Sequence, residues 1–434
     1  MSIAQTRIAF ILRHLSRKLW VRAAAFAVLG IAIVPLARLL GPILPAEMEE
    51  MTGAGAVNGI LNIVASSMLA VTTFSLSIMV SAYSGATAAV TPRAVALLLQ
   101  DRTSQTVLST FIGAFLFSIV GIIGVEAGAF GNQGLVVLFF ATIVVIALVV
   151  VALIRWIQHL TTFGRMADTT DRVEKAATAA LVARAKRPAL GGIPADGPTA
   201  PKGWRPVLAP KIGYLCHVDL PRLTTIVQSV SGGSSQPLMQ LACLPGSFLH
   251  PAAALLWASP RIKADLDAQV QEAFTINDAR TFDQDPRFGL CVLTEIAERA
   301  LSPAVNDPGT AIDVLGRAVR VLSHWADRSP NEPAYPLIMV PPLNVRDLFD
   351  DVFPAIAHDG AAKVSVQLRL QKSLLALAQL SPADFGPEAI AQSERALHAA
   401  RGADLRPEDI ARLEEVSRAI SRSVGAPRRH PRQL

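Results

Sequence analysis

From about residue 23 to residue 154 the sequence is almost free of charge, and apolar runs long enough to cross a bilayer follow one another within it. A transmembrane helix needs about 20 mostly apolar residues. Four stretches qualify on that reading: about 19–41, 57–84, about 105–127 and about 134–157. Charged residues make up only 17% of the 434-residue chain, against about 25% in an average soluble protein. They concentrate after the fourth stretch, so the expected fold class is an α+β membrane protein: a four-helix transmembrane domain followed by a cytoplasmic domain with a small β section and a helical C-terminal part. The first stretch contains Pro35, which predicts a kink, and reads as an uncleaved span.

Lys and Arg alternate by side along the spans. Residues 1–22 are basic, the loop after the first span holds Glu47, Glu49 and Glu50, and the next holds Arg93 and Arg102. Glu126 follows the third span, and Arg155 and Arg165 follow the fourth. The positive-inside rule then places both termini in the cytoplasm, in a cell inner membrane. Residues 1–18 read either as a basic amphipathic helix on the membrane surface or as an extension of the first span. The net charge of +6 is accounted for by these flanks and a basic tail over 426–434. No aromatic-basic motif or zinc finger accompanies it, so nucleic acid is not an expected partner.

The second span, VNGILNIVASSMLAVTTFSLSIMVSAYS, has no charge but is rich in hydroxyls. On a helix of 3.6 residues per turn, Asn58, Asn62, Ser66, Thr73, Ser77, Ser81 and Ser84 fall within an arc of about 140°. Ile60, Val64, Val71, Leu76 and Ile78 lie opposite, while Ser67, Thr72 and Ser75 fall off the stripe. Such a stripe suits close helix packing or a water-lined wall. One stripe cannot enclose a pore, whereas a ring of copies could, which makes a homo-oligomer and a small ion or solute the expected partners beside the lipid bilayer. At about 1.5 Å per residue the span exceeds the apolar core, so its Tyr83–Ser84 end is expected to protrude into the cytoplasm, where Pro92 starts a short helix.

The remaining domains follow from local patterning. A helix and a Pro/Gly-rich linker occupy 161–210, a small β section 211–260 and helices 261–425. KIGYLCHVDL reads as a strand, PRLTTIVQSV as a short helix, and the segment through LPGSF as strand, turn, strand. Ser302-Pro303 ends one helix, and Asp307 with Pro308 starts the next. Further helices are expected at about 344–383 and 386–423.

Candidate chemistry gathers around that corner. Asp283, Asp285, Arg287, Ser302, Asn306 and Asp307 form a possible ligand or partner contact, with capping and ion pairing at a helix corner as the alternative. No nucleophile–base pair, phosphate loop or dinucleotide motif is present, so neither catalysis nor a cofactor is expected. The eight His are scattered, and Cys216, Cys243 and Cys291 form no CxxC. Neither metal binding nor a disulfide framework is expected, and a reducing compartment fits.

TFDQDPRFGL and ALSPAVNDPGTAID, with the hydroxyl-rich span and TPRAVALLLQDRTSQTVL, resemble a bacterial family of predicted membrane proteins known as domain of unknown function 2254. The resemblance runs from the first span to about residue 385. It implies a multi-pass membrane protein with a cytoplasmic domain and implies no activity. The Pro/Gly loop near 186–203 and the basic tail depart from the family. Two functions fit the sequence: an oligomeric channel or transport module with a cytoplasmic regulatory domain, and a membrane-anchored sensor or scaffold whose cytoplasmic domain binds a ligand or protein.

Overall fold

A computed structural model describes residues 19–40, 53–99, 101–161, 163–197, 199–233, 235–328 and 332–425. The basic segments 1–18 and 426–434 lie outside the described residues. The chain divides into two compact units, Met1–Thr169 and Thr170–Leu434.

The described part of the first unit is helical: α1 (Leu19–Leu40), α2 (Ala54–Ala89), α3 (Pro92–Leu99), α4 (Arg102–Glu126) and α5 (Asn132–Leu160). α4 is the central helix and packs against α1, α2 and α5. Leu61 and Met68 of α2, Phe111 and Phe117 of α4, and Leu138 and Trp156 of α5 form the shared core. Gly113 lets α1 approach α4, since a Cβ there would lie 2.4 Å from Phe26 Cδ2. Short runs of small residues at helix crossings are how helices associate when lipid supplies no hydrophobic drive.

Among the described residues, three helices are long and apolar enough to cross a membrane, over Ala54–Gly85, Thr103–Glu126 and Gly134–Leu160. This corrects the expectation of four. α1 forms and continues through Pro35, but its apolar described stretch is only Ala24–Ile33. Arg22 and Arg38 bracket it, leaving less than the length that a bilayer core requires.

The second unit contains most of α6 (Met166–Lys186) and combines two sheets with helices. Its strands are β1 (Gly192–Pro194), β2 (Arg205–Leu208), β3 (Gly213–Val218), β4 (Met239–Leu241), β5 (Phe248–Leu249), β6 (Ala254–Ala258), β7 (Phe274–Asn277) and β8 (Tyr335–Val340). The larger sheet has the order β1-β8-β4-β6-β2 and the smaller β5-β3-β7. β8 pairs in parallel with β1 and β4, while β6 pairs antiparallel with β4 and β2. Strands therefore occur on both sides of the 211–260 section. α7 (Leu220–Ser231) buries Leu223, Ile226 and Val227 in the core of this sheet region.

The helical part begins, after the short α8 (Asp267–Gln271), with α9 (Pro286–Leu301) and α10 (Pro308–Ala326). Asp285 and Asp307 cap these two helices, each followed by Pro at the first helical position. Then come α11 (Val345–Asp350), α12 (Phe353–Asp359), α13 (Val364–Leu380), α14 (Gly386–Arg401) and α15 (Pro407–Gly425). α13 packs against α10, α14 and α15. Gln371 and Ser393, both buried, bond to each other between α13 and α14, satisfying polar groups that would otherwise be costly there.

Candidate functional site

The polar stripe of α2 turns away from its own bundle. Val57, Leu61, Val64, Ala65 and Met68 are buried, whereas Asn62, Ser66, Thr73, Ser77, Ser81 and Ser84 are exposed. α2 is the least apolar of the three long helices and also the least covered by its own chain. Its most apolar stretch is 22% buried, against 50% in α4 and 28% in α5.

Several of the hydroxyls are satisfied within the helix. Ser66, Thr73 and Ser77 donate to the carbonyls of Asn62, Leu69 and Thr73 at 2.9, 3.0 and 3.1 Å. This back-bonding lets a hydroxyl face an apolar surface cheaply. Asn58 is engaged differently, its Nδ2 donating to Glu126 Oε1 of α4 at 2.7 Å. Asn62 makes no side-chain hydrogen bond among the described residues, and its carboxamide is exposed.

At the other end of α2, polar and aromatic side chains join three helices. His159 Nε2 lies 2.9 Å from Asp101 Oδ2, and both side chains are largely buried. The same oxygen accepts from Ser104 N and Oγ, each at 2.7 Å, so Asp101 caps α4 while meeting α5. Tyr83 of α2 stacks edge-on against Phe163, which contacts His159 in turn. Gly164, at φ +77°, would place a Cβ 3.1 Å from the carbonyl oxygen of Ala82.

In the second unit the six residues singled out around the corner divide between the two ends of α9, about 24 Å apart at 1.5 Å per residue. At its start, Asp285 is buried, caps the helix through Phe288 N and accepts from Arg280 Nε and Nη2 at 2.7 and 3.0 Å. Gly246, at φ +100°, gives it room, since a Cβ there would lie 2.5 Å from Asp285 Oδ2. Arg287 holds Asp351 bidentately at 2.7 and 2.9 Å and reaches Asp347 at 2.7 Å. Bonding to Asp351, opposed by burial, raises the pKa of Arg287.

At the end of α9, Ser302 Oγ donates to the Arg299 carbonyl at 2.7 Å. Asn306 adopts φ +51° and accepts from Lys363 Nζ at 2.5 Å. Asp307 accepts from Thr310 N and Oγ1 at 3.2 and 2.6 Å. These bonds, the hydroxyl one first, hold its carboxyl below the usual range. Of the six, Asp283 stands apart: it is exposed and lines a cleft of about 340 Å³.

Arg184 on α6 also lines that cleft, and sequence inspection missed it. Only 3% of the residue is exposed. Nη2 donates to the Gln284 carbonyl at 3.1 Å, while Nη1 is buried with no hydrogen-bond partner among the described residues. Burial pushes its pKa down to about 10, against the favourable field of Asp285. Arg187, His217 and Asp219 are further lining residues. The only sequence signal is an arginine at the end of an alanine-rich helix, which reads equally as a solvated cation.

α6 is held elsewhere as well. Arg317 of α10 bonds to Asp171 and, at 2.7 Å, to Glu174, and Arg320 meets Glu174 at 2.6 Å. Gly289 of α9 faces Ala177, and a Cβ there would lie 2.6 Å from the Ala177 Cα. Among the described residues no three His, Cys, Asp or Glu side chains are grouped to hold a metal ion.

A family model described as Predicted membrane protein (DUF2254) matches residues 16–376. Uncharacterized proteins of Mycobacterium bovis and Mycobacterium tuberculosis are each 27% identical over 338 residues, covering 74% of this chain. The chain spans 62% of the length of these curated relatives. No solved structure matches.

Proposed function

The chain belongs to the DUF2254 family of predicted membrane proteins, and from that premise we propose that it is an oligomeric channel or transport module of the inner membrane, with α2 of each copy facing a shared polar path. In this reading the three long apolar helices are the spans. The second unit is then the cytoplasmic regulatory domain.

One observation carries the proposal: the least apolar span is the least covered, and the exposed Asn62 carboxamide has no partner among the described residues. A polar group left without a hydrogen bond in hydrocarbon costs several kcal/mol. Water or another copy of α2 removes that cost. The self-bonded hydroxyls of Ser66, Thr73 and Ser77 keep acceptor capacity toward a hydrated ion or solute.

The test is conductance of the purified protein in planar bilayers, together with its oligomeric state in native nanodiscs. The expected result is a ring of copies whose conductance falls in Asn62→Leu and Ser77→Leu. A monomer, or a conductance indifferent to both substitutions, overturns the reading.

A membrane-anchored sensor is the second reading, favoured by the cleft that Arg184 lines. Ligand binding by the second unit without any conductance would support it instead.

A further inference from the structure

We infer that the cleft between the end of α6, the start of α7 and the Asp283–Gln284 turn binds a small molecule through an oxyanion group, phosphate or carboxylate, with Arg184 and Arg187 as its anchors. The inference does not depend on the pore reading.

The buried cation at this cleft lacks an ionic partner of its own. Arg184 is buried, and among the described residues no carboxylate oxygen lies within 4 Å of it. The nearby Asp285 is committed to Arg280 through both of its oxygens. A buried guanidinium without an ionic partner carries an uncompensated desolvation cost. Among the described residues its one hydrogen bond goes to the Gln284 carbonyl, beside the field of the already committed Asp285. The unsatisfied Nη1 shows that the protein itself leaves a donor over. An oxyanion supplies both the missing charge and the missing acceptors, and arginine suits phosphate and carboxylate because its planar fork matches them.

Arg187 lies three residues on, just past the end of α6, exposed and with no side-chain bond among the described residues. It adds a second cation at the rim. The other charged lining residues, Asp219 and Asp283, are acidic. They disfavour a bare polyanion and favour a ligand that also carries donors such as hydroxyl groups. A volume of about 340 Å³ lies within the range of small-ligand sites, about 300–1,000 Å³.

The competing candidates are weaker. Arg317 and Arg320 line a larger cleft, but Asp171, Asp313 and Glu174 already neutralise them. Arg328, beside a third cleft, is paired with Asp384.

The test uses the full chain in detergent and equilibrium dialysis against inorganic phosphate, acetate and glycerol 3-phosphate at matched ionic strength. Saturable binding of one equivalent per chain is expected, and the preference between phosphate and acetate identifies the group. Glycerol 3-phosphate, which adds hydroxyls, is expected to bind tighter than phosphate. Arg187→Gln, at an exposed position, is expected to weaken binding about tenfold or more, as loss of a charged hydrogen bond does. Arg184→Gln is expected to abolish it, and if that variant misfolds, Arg187→Gln carries the test. Lys202→Gln, outside the cleft, is the control. Absence of saturable binding to all three probes, or affinity unchanged in Arg187→Gln, overturns the inference.

Discussion

His159 and Asp101 meet at 2.9 Å and tie the end of α5 to the residue that caps α4. Asp101 thus does two jobs, accepting the Ser104 amide and holding the imidazole. Asp101→Ala removes both, and loss of the cap alone costs about 1 kcal/mol. Asp101→Asn retains a capping oxygen. Thermal unfolding in detergent should rank wild type above Asp101→Asn and Asp101→Asn above Asp101→Ala. Equal midpoints for the two variants would show that the cap contributes nothing here.

Gly113 is the contact point of α1 on α4, and an added Cβ would meet Phe26 at 2.4 Å. Overpacking of this kind costs about 1–3 kcal/mol. Gly113→Ala should therefore lower the unfolding midpoint, and Phe26→Ala, which removes the Cγ and Cδ2 that the new Cβ would meet, should cost less in that background than in the wild type. Without such compensation, α1 does not dock on α4 as described.

Asp285 neutralises Arg280 and caps α9 from a buried position. Removing one partner of a buried pair costs about 3–5 kcal/mol because the other charge is left uncompensated. Asp285→Ala should reduce stability by that order in chemical denaturation. Arg280→Met, which removes the opposite charge, should cost less when combined with it than alone.

Asp307 supplies a milder, pH-dependent contribution. Its carboxyl is lowered from 3.8 by the Thr310 hydroxyl and amide. A group depressed in the folded state stabilises above its unfolded pKa, and that contribution disappears as pH falls through the folded value. Wild type should thus outlast Asp307→Ala near neutrality by about 1 kcal/mol, and the gap should close below about pH 4. A gap independent of pH would assign the cap to the backbone rather than to the carboxylate.

The stripe makes a proximity prediction. Cysteines introduced at Thr73 or Ser77, both exposed on α2, should cross-link between copies in membranes. A cysteine at Val64, buried inside the bundle, should not. The native Cys216, Cys243 and Cys291 lie in the second unit, so the unmodified chain is the background control. Cross-linking from Val64 but not from Ser77 would reverse the assigned orientation of α2.

Local chemistry was the legible part of the sequence. The Asp307-Pro308 start of α10, the end of α9 at Ser302 and the helix from Pro92 depend on neighbours within a few residues, and the structure has all three. The periodicity of α2 was legible too. Which side of it meets the bundle was not, because Leu61 and Val64 find their partners on α4, far along the chain.

The same limit hid the sheet. β8 at Tyr335–Val340 pairs with β1 across about 145 residues and with β4 across about 100, and a short apolar run by itself announces no partner. Arg184 was invisible for a related reason. Its burial is set by the turn at Gln284, while its own helix resembles any alanine-rich surface helix. For α1 the apolar run stops short of a span because Arg22 and Arg38 bracket it.

The attachments of α6 have a mechanical consequence. Ion pairs to Arg317 and Arg320, the glycine-sized gap at Gly289 and the bond from Arg184 to Gln284 fix it at three places along its length. Tightly packed interiors transmit strain rather than absorb it. A helix pinned in this way behaves as a beam and not as a hinge: a push along it reaches α10 and α9, and then the Gln284 turn, with little lost to bending.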